Sequence, residues 1–353
     1  MHKLKAFFTR LFFWEHWPTF MFYIPLIPYY LVKAIRAGHP VYYLVVNPAL
    51  KYSGNGTESK YKTLQLLPEN YRPKSILVDP DTNFNSVTLL LSTAGIRFPL
   101  IAKPDIGFRG YLVKLVPDEN ALRTYLNNNK IAIILQEFIN LPNECGVFYY
   151  RYPDADQGHI TSITLKEFAT LTGNGKDTLS NLILNDQRAY LYYPLFSNIH
   201  QKKMDSIPEY GEKVKLSSIG NHSKGTRFIN GNHLIDSELE QTFDRLAKSI
   251  EGFYYGRFDL KYRSWEELKK GENFKILELN GIIAEPTHIY DPENASYFKA
   301  VQSIRHHWHL MNDIALLNNK KFDLPYPALK PYLKDMLWLR KYSKKITRLN
   351  KKN

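Results

Sequence analysis

Residues 256–288 have the sequence GRFDLKYRSWEELKKGENFKILELNGIIAEPTH, and this stretch decides how the chain is interpreted. Polar and apolar residues alternate in GRFDLKY and again in FKILELN, which predicts two strands. The polar run RSWEELKKGEN between them predicts a β-hairpin. Alternation in the second run places Ile276, Glu278 and Asn280 on one face, and strand pairing would bring Asp259 beside Glu278 and Asn280.

Two carboxylates and an amide oxygen form a set of hard oxygen donors. Such a set suits Mg²⁺, with Mn²⁺ as a second choice, and Mg²⁺ usually also binds phosphate oxygens. The alternative is a solvated hairpin face, which describes most carboxylates on strands. Taken alone, these three residues favour neither interpretation.

Composition and charge narrow the class of protein. The 353 residues are 44% hydrophobic and 23% charged, which predicts a folded chain of two or three lobes rather than a disordered one. The single Cys145 excludes an internal disulfide and fits a reducing compartment, so we expect a cytoplasmic protein. The net charge is +13, and residues 330–353 hold nine Lys or Arg against one acid, so +8 of the charge lies in this tail. A basic tail with aromatic residues fits an anionic membrane surface at least as well as it fits nucleic acid. The alternative is a solvated terminal helix. Because the rest of the chain is only mildly basic, nucleic acid is disfavoured as a partner.

The N-terminal segment is rich in aromatic residues and is uncharged from Trp17 to Val32. No small-residue cleavage site follows, so a signal peptide is not expected. Pro18, Pro25 and Pro28 interrupt the run, and a full span needs about 20 apolar residues, which argues against a transmembrane helix. We expect one or two short helices that either lie peripherally on the inner face of a membrane or cover the protein's own core.

Strand-like and helix-like segments are mixed along the chain, with many hairpin-like strand pairs, which predicts an α+β fold. Tyr42 to Asn47 is predicted to be a strand, and Asp236 is predicted to cap an amphipathic helix ending at Glu251. Residues 293–318 are predicted to form a long helix. The expected division is an aromatic segment over 1–56, a small lobe with a glycine loop over 57–135, a large lobe with a metal site over 136–318, and a basic tail over 319–353.

Lys103 ends an apolar strand and precedes a loop that contains Gly107 and Gly110. A lysine there can reach phosphate oxygens while N–H groups of the loop fold over them, although the pattern is not the Walker signature. The segment Gln136 to Ile139 closes a buried strand whose free backbone groups can bind an adenine edge. Glu144, a few residues on, can bind two ribose hydroxyls. Seen alone, this segment is an ordinary strand end.

The order of these parts resembles the ATP-grasp superfamily, in outline the D-alanine–D-alanine ligases and the ATP-grasp halves of cyanophycin-synthetase-like enzymes. The motifs that carry the resemblance are IAKPDIGFRG, QEFINLPNE, TLKEF with TGNGKDTL, GRFDLK and ELNGIIAEPTH, over roughly residues 57–290. The resemblance implies two α+β lobes that grip ATP, and an ATP- and Mg²⁺-dependent carboxylate–amine ligase. In that chemistry ATP phosphorylates a carboxylate, and an amine attacks the acyl phosphate and expels phosphate.

The resemblance also implies roles for individual residues. Arg257 and Lys166 form the expected catalytic pair, with Arg257 stabilising the transferring phosphoryl group. The expected metal ligands are Asp259, Glu278 and Asn280. The expected nucleotide-binding residues are Lys60, Lys103, Gly107, Gly110, Gln136, Glu137, Phe138, Ile139 and Glu144.

Two segments depart from the family pattern. GNHSKGTRF, residues 220–228, gathers cations around a glycine and is either an anion site or an exposed basic turn. EPTH, residues 285–288, stands where D-alanine–D-alanine ligases carry a small-residue turn for substrate, which argues against D-alanine as the substrate. The candidate substrate-binding residues are His222, Lys224, Arg227, Glu285 and His288.

Other functions stay open at this point. One is an ATP-grasp kinase or peptide-modifying enzyme, and another is a non-catalytic basic protein that binds a membrane or nucleic acid. The joint presence of Lys103, Arg257 and the three oxygen donors argues against the non-catalytic protein. The expected substrates are a carboxylate and an amine, each a small molecule or a peptide, and the sequence does not name them.

Overall fold

The structure is a computed structural model that describes residues 2–17, 19–108, 110–217, 220–293 and 296–352. Its α-helices are α1 (His2–Phe12), α2 (Thr19–Tyr23), α3 (Ile27–Ala37), α4 (Lys60–Gln65), α5 (Phe84–Thr93), α6 (Glu119–Asn128), α7 (Leu179–Asn185), α8 (Tyr193–Ile199), α9 (Ser237–Lys248), α10 (Trp265–Lys270), α11 (Tyr297–Lys320) and α12 (Leu329–Lys352). Its strands are β1 (Ser75–Val78), β2 (Leu100–Pro104), β3 (Lys114–Val116), β4 (Ile133–Glu137), β5 (Asn143–Tyr150), β6 (His159–Glu167), β7 (Thr170–Thr172), β8 (Lys213–Lys215), β9 (Arg227–Asn230), β10 (Tyr255–Tyr262) and β11 (Phe274–Asn280).

The strands pair into antiparallel sheets, and the predicted α+β class is confirmed. One sheet has the order β1-β4-β2-β3, and a second has the order β11-β10-β5-β6-β9. The strands β7 and β8 form a separate pair. The first sheet uses residues 75–137 and the second uses residues 143–280, so each sheet comes from one continuous part of the chain. The finer division into four parts stays a prediction.

Each large sheet has its own apolar core. In the second sheet, Phe258 packs with Phe243 and Leu246 of α9, whose first turn is capped as predicted because Asp236 Oδ1 accepts a hydrogen bond from Leu239 N at 2.9 Å. The first sheet packs against α5 and α6, and Ile346 of α12 is fully buried in the same core. The basic tail helix is therefore part of the folded body.

The predicted strand over Tyr42 to Asn47 is wrong. Residues Tyr42–Val45 form a 3-10 helix, which packs against α11 in a third core. The side-chain amide of Asn318 on α11 donates to the carbonyls of Val45 and Val46, at 2.7 and 3.1 Å. Tertiary contacts thus satisfy backbone groups that a strand would have paired with a neighbour. The long predicted helix begins at Tyr297 rather than at 293 and ends at Lys320.

The aromatic N-terminal segment covers the body with one face. Trp14, Phe22 and Leu26 are buried against Ile304 and Ala300 of α11. Among the described residues, no helix is both long enough and apolar enough to cross a membrane. The opposite face of the segment carries large exposed apolar side chains, which are taken up below.

Candidate active site

The hairpin β10–β11 supplies the centre of the site, and its register differs from simple alternation. Asp259 lies opposite Glu278, but the next pair is Leu260 with Ile276, so a β-bulge inserts Leu277. The expectation that Ile276 shares a face with Glu278 and Asn280 is therefore wrong. Ile276 is buried in the core beneath the sheet, while Glu278 and Asn280 point to the other face.

Polar contacts converge on the Asp259 carboxylate. Arg257 Nη2 donates to Asp259 Oδ2 at 2.9 Å, and Asn280 Nδ2 donates to the same oxygen at 2.9 Å. Lys166 Nζ lies 3.0 Å from Oδ1. Burial alone would raise the pKa of Asp259, but the charges of Arg257 and Lys166 outweigh it and hold this pKa well below its usual range. Asp259 is thus an anion that orients two cations.

Lys166 bridges two carboxylates in the middle of the second sheet. Its Nζ donates to Glu144 Oε1 at 2.9 Å as well as contacting Asp259. Burial opposes the charge of Lys166, but Asp259 and Glu144 more than compensate and raise its pKa. Gly220, at the start of the GNHSKGTRF loop, passes so close to the Glu144 carboxylate that a Cβ there would overlap it. Glu144, the predicted ribose ligand, is therefore held between Lys166 and this loop.

Lys103 has a different environment, because both acceptors of its ammonium group are neutral. Its Nζ donates to Gln136 Oε1 at 3.0 Å and to the carbonyl oxygen of Leu277, the bulge residue, at 3.1 Å. Burial and the neighbouring charge of Lys60 lower the pKa of Lys103 to about 7. The Nε2 atom of Gln136 is buried and has no hydrogen-bond partner among the described atoms. A buried ammonium group with neutral acceptors, beside an unpartnered amide N–H, is an arrangement suited to an anion.

Lys60 stands beside Lys103, at the first residue of α4. Its ammonium group pairs with the Glu278 carboxylate, and burial lowers its pKa. The helix start is fixed by Asp105, whose Oδ1 accepts from Ser59 Oγ and Tyr61 N at 2.9 Å each. Since Asp105 opens the glycine loop, this contact ties Lys60 to that loop.

The rest of the predicted nucleotide site lies around the same cluster. Gly110 adopts a left-handed φ of 67°, and the position of a Cβ on Gly107 would lie 3.9 Å from Lys60 Cε. At the end of β4, Glu137 N donates to the carbonyl of Lys74 at 2.9 Å. Lys261 Nζ lies over the Phe138 ring, 5.6 Å from its centroid, and donates to the carbonyl oxygen of Ile139 at 3.2 Å. The loop residue Arg109 lies outside the described residues.

Lys261 contacts two residues of the predicted nucleotide site, Phe138 and Ile139, although sequence reasoning did not assign it. It follows Arg257 and Asp259 at a spacing of two along β10, so the alternation of this strand carried the signal.

Glu285 joins the centre of the site to the N-terminal segment. Arg257 Nη1 donates to the Glu285 carbonyl oxygen at 2.9 Å. The Glu285 carboxylate accepts from Tyr290 Oη at 2.7 Å and from the hydroxyl of Tyr23 on α2. His288, three residues on, contacts Ser162 Oγ at 2.7 Å, and burial lowers its pKa to about 4.

His222 contacts a second residue of the N-terminal segment. Its Nε2 lies 3.1 Å from Glu15 Oε2, and Arg188 Nη1 lies 3.1 Å from Glu15 Oε1. Glu15, Tyr23 and Arg188 were missed by sequence reasoning, because no motif indicates that Glu15 contacts His222, which lies 207 residues further along the chain. The signal available was Glu15 itself, a lone acid in an aromatic stretch.

Lys224 and Arg227, the other two substrate candidates in the 220–228 segment, have partners other than Glu15. Lys224 lies over the Tyr111 ring, 5.6 Å from its centroid, and burial lowers its pKa. Arg227 lies on the edge strand β9, where it pairs with the exposed carboxylates of Glu167 and Glu293. Its charge is thus directed to surface acids.

The oxygen donors fit a hard cation in type. Asp259, Glu278 and Asn280 share one face. The Asp259 and Glu278 carboxylates pair with cations, and Asn280 Nδ2 donates to Asp259. Within the described ranges no cluster of three or more His, Cys, Asp or Glu side chains is arranged to hold a metal ion. The predicted set has two carboxylates and one amide, so the remaining ligands would have to come from water and phosphate.

Comparison with known proteins gives similarity in structure only. No protein-family description and no curated protein matches the chain. The D-alanine–D-alanine ligase of Bacillus anthracis is 14% identical, with a TM-score of 0.42 over 74% of this chain and 68% of the ligase. A bifunctional glutathione synthetase of Pasteurella multocida is 16% identical, with a TM-score of 0.39 over 71% of this chain and 38% of the synthetase. The ATP-grasp ligase PsnB is 15% identical, with a TM-score of 0.32 over 63% of this chain and 50% of PsnB.

One of the three is named an ATP-grasp ligase, and the other two are a D-alanine–D-alanine ligase and a glutathione synthetase. The chain spans 38%, 50% and 68% of the three proteins compared. All three TM-scores are below 0.5.

Proposed function

We propose that the protein is an ATP- and Mg²⁺-dependent ligase that activates a substrate carboxylate as an acyl phosphate for attack by an amine. The observation that carries the proposal is that two buried lysines meet the β10–β11 hairpin, Lys60 at the Glu278 carboxylate and Lys103 at the Leu277 carbonyl; burial lowers the pKa of both. Cations that are costly to bury and oxygen donors suited to Mg²⁺ are the two requirements of a nucleotide triphosphate site.

The two lysines would bind the phosphates. Lys103 has only neutral acceptors, so a phosphate oxygen would give it the counter-charge that Gln136 and Leu277 do not supply. The unpartnered Nε2 of Gln136 offers one more donor next to it. A phosphate that formed an ion pair with Lys60 would also release the Glu278 carboxylate from its present ion pair with this lysine.

The released Glu278 would then join Asp259 and Asn280 as a ligand set for Mg²⁺. The ion, when bound, supplies neutralisation of charge on the phosphate oxygens. Lys166 keeps Asp259 ionised and in position, which supports the assignment of Lys166 as a residue that organises the site.

Arg257 is the residue that we assign to the transferring phosphoryl group. Its guanidinium is fixed on one side by Asp259 and on the other by the Glu285 carbonyl, so little conformational entropy remains to be lost when an anion binds. A carboxylate oxygen of the substrate attacks the γ-phosphorus and ADP leaves. The amine nitrogen then attacks the acyl carbon, phosphate leaves, and the amine proton passes to solvent.

The test is a screen of carboxylates and amines, singly and in pairs, for ADP and phosphate release, with mass detection of the product. A ligase releases phosphate and forms a condensed product only when both substrates are present. A kinase forms a stable phosphorylated product from one substrate. Asp259→Asn should lower turnover by at least ~100-fold, because the groups that it orients lose their charged partner.

Asp154→Asn is the matched control. Asp154 also forms an ion pair, with Lys321 at 2.9 Å, but on the surface. Its removal should leave turnover unchanged. Full turnover of Asp259→Asn would refute the site assignment, and an absence of ATP consumption with every pair would count against the ligase activity.

A further inference from the structure

The helical segment from α2 to α3 has two apolar faces, and only one is covered. On the inner face, Phe22 and Leu26 are buried, and the Tyr23 ring stacks on Trp308 of α11 at 5.7 Å between centroids. On the outer face, large apolar side chains are exposed at a spacing of three or four residues, from Phe20 with 68% exposed to Ile35 with 79% exposed. Within α3 this spacing places Ile27, Leu31 and Ile35 along one side of the helix, and Phe20 on α2 and Ile24 in the 3-10 turn between the two helices precede them. We call these five residues the N-terminal stripe: Phe20, Ile24, Ile27, Leu31 and Ile35.

The tail helix α12 repeats this arrangement. Its second half is anchored by Ile346, which is fully buried on the first sheet. Its first half exposes Leu329, Leu333 and Leu337 at a spacing of four, with Trp338 beside them, and we call these four residues the tail stripe. Lysines are interleaved with them, and an open cleft of about 450 Å³ further along is lined by Lys341, Lys344, Lys345, Arg348 and Leu349.

The helices that carry the two stripes both contact Tyr43. Tyr30 of α3 lies 6.2 Å from the ring of Tyr43, and the Tyr43 hydroxyl lies 3.5 Å from the hydroxyl of Tyr332 on α12. Tyr332 immediately precedes Leu333 of the tail stripe. The two helices are therefore linked through one residue, Tyr43.

We propose that the two stripes dock the protein on the surface of an anionic lipid bilayer. Large exposed apolar patches mark interaction surfaces, and aromatic and aliphatic side chains beside lysines fit the boundary between acyl chains and headgroups. Charge complementarity selects the partner: the chain carries +13, of which +8 lies in residues 330–353, so two copies of this chain repel each other where an anionic bilayer attracts.

Docking would bring the site close to the bilayer. Tyr23 lies on the same short helix α2 as the exposed Phe20, and its hydroxyl donates to the Glu285 carboxylate of the site. The proposal does not depend on ligase chemistry, since binding is measured without nucleotide or substrate.

The test is co-sedimentation with vesicles of phosphatidylcholine alone and of phosphatidylcholine mixed with phosphatidylglycerol. The full chain should bind the anionic vesicles, and binding should fall as salt is raised. The triple variant Ile24→Ser, Leu31→Ser, Ile35→Ser should bind at least ~10-fold more weakly, because the three aliphatic side chains that it removes contribute at least about that factor together.

Controls for each kind of contact are available elsewhere on the surface. Leu89, Ile199 and Ile207 are also exposed, and their replacement by serine should leave vesicle binding unchanged. For the charges, Lys341→Gln with Lys344→Gln should weaken binding by roughly 10-fold, whereas Lys202→Gln with Lys203→Gln should have little effect.

Three results would overturn the proposal. The first is equal binding of the stripe variant and the wild type to anionic vesicles. The second is equal binding of the wild type to neutral and anionic vesicles. The third is a dimer, seen by analytical ultracentrifugation without lipid, that the stripe variant dissociates, because the stripe would then be covered by a second copy.

Discussion

Replacing Lys103 by methionine should stabilise the protein, although Lys103 lies in the centre of the proposed nucleotide site. Burial and the charge of Lys60 lower the pKa of Lys103 from an ordinary value of 10.5 to about 7. This difference corresponds to roughly 5 kcal/mol that the folded state loses by holding a charged amine there. Methionine has a similar length and no charge, but it leaves two acceptors without their donor. We therefore expect a net gain of about 1–3 kcal/mol in the free energy of unfolding at pH 7.

Lys166→Met is the matched comparison, because Lys166 is also a buried lysine of the same site. Its partners are the carboxylates of Glu144 and Asp259, so its removal leaves two buried charges without a cation. The expected result is a loss of about 3–5 kcal/mol. Two substitutions of the same chemical type should thus change stability in opposite directions.

The assay is urea denaturation of the three proteins without nucleotide, from pH 7 to pH 9.5. The unfolded chain holds the Lys103 proton up to about pH 10.5, and the folded chain holds it only up to about pH 7. Wild-type stability should therefore rise with pH across this window, and the advantage of Lys103→Met should shrink. A Lys103→Met protein that is destabilised as strongly as Lys166→Met would refute the reasoning that Lys103 lacks a counter-charge.

Three further outcomes are expected. Arg257→Lys should lower the rate of phosphate release by roughly 100-fold, because lysine cannot bind an anion with two parallel N–H groups as a guanidinium does, while thermal stability should change little. Retained turnover would count against the assignment of Arg257 to the transferring phosphoryl group. Gly54→Ala should lower the free energy of unfolding, measured by thermal denaturation, by at least about 2 kcal/mol, because the φ of Gly54 is +78° and the new Cβ would lie 2.8 Å from the Cα of Gly281. The control Gly38→Ala, with φ +67° and no described atom within 4 Å of the Cβ, should lower it by about 1 kcal/mol. Equal losses would contradict the close approach of Gly54 to Gly281. Burial lowers the pKa of His288 from 6.5 to about 4, so the unfolded chain takes up this proton at a higher pH than the folded chain, and the free energy of unfolding should fall between pH 6.5 and pH 4. His288→Gln should reduce that fall by roughly 1–3 kcal/mol. An unchanged pH profile would show that the histidine is not buried in its neutral form.

Local patterns in the sequence predicted much of the hairpin and its surroundings. Alternation identified β10 and the face that carries Arg257 and Asp259, and the capping residue Asp236 identified the start of α9. These features depend on neighbours in sequence, and composition and spacing carry them. The motif order identified the resemblance to ATP-grasp ligases for the same reason.

Features that depend on distant contacts could not be predicted. The bulge at Leu277 places Ile276 on the face opposite to Glu278 and Asn280, contrary to the alternation of the sequence. The Leu277 carbonyl oxygen accepts a hydrogen bond from Lys103 of the other sheet, a contact that no local pattern indicates. The strand predicted at Tyr42 to Asn47 is a 3-10 helix because Asn318 satisfies its backbone. The contact of Glu15 with the 220–228 loop likewise joins segments far apart in sequence.

The central claim is that Lys103 and its neighbours form a nucleotide site, and a calorimetric titration of ATP with Mg²⁺ into the wild type and Lys103→Met tests it most directly. The wild type should bind ATP, with proton uptake above pH 7 as Lys103 gains its counter-charge, and Lys103→Met should bind at least ~30-fold more weakly despite its greater stability. A wild type that does not bind ATP, or a Lys103→Met protein that binds it equally well, would contradict the claim.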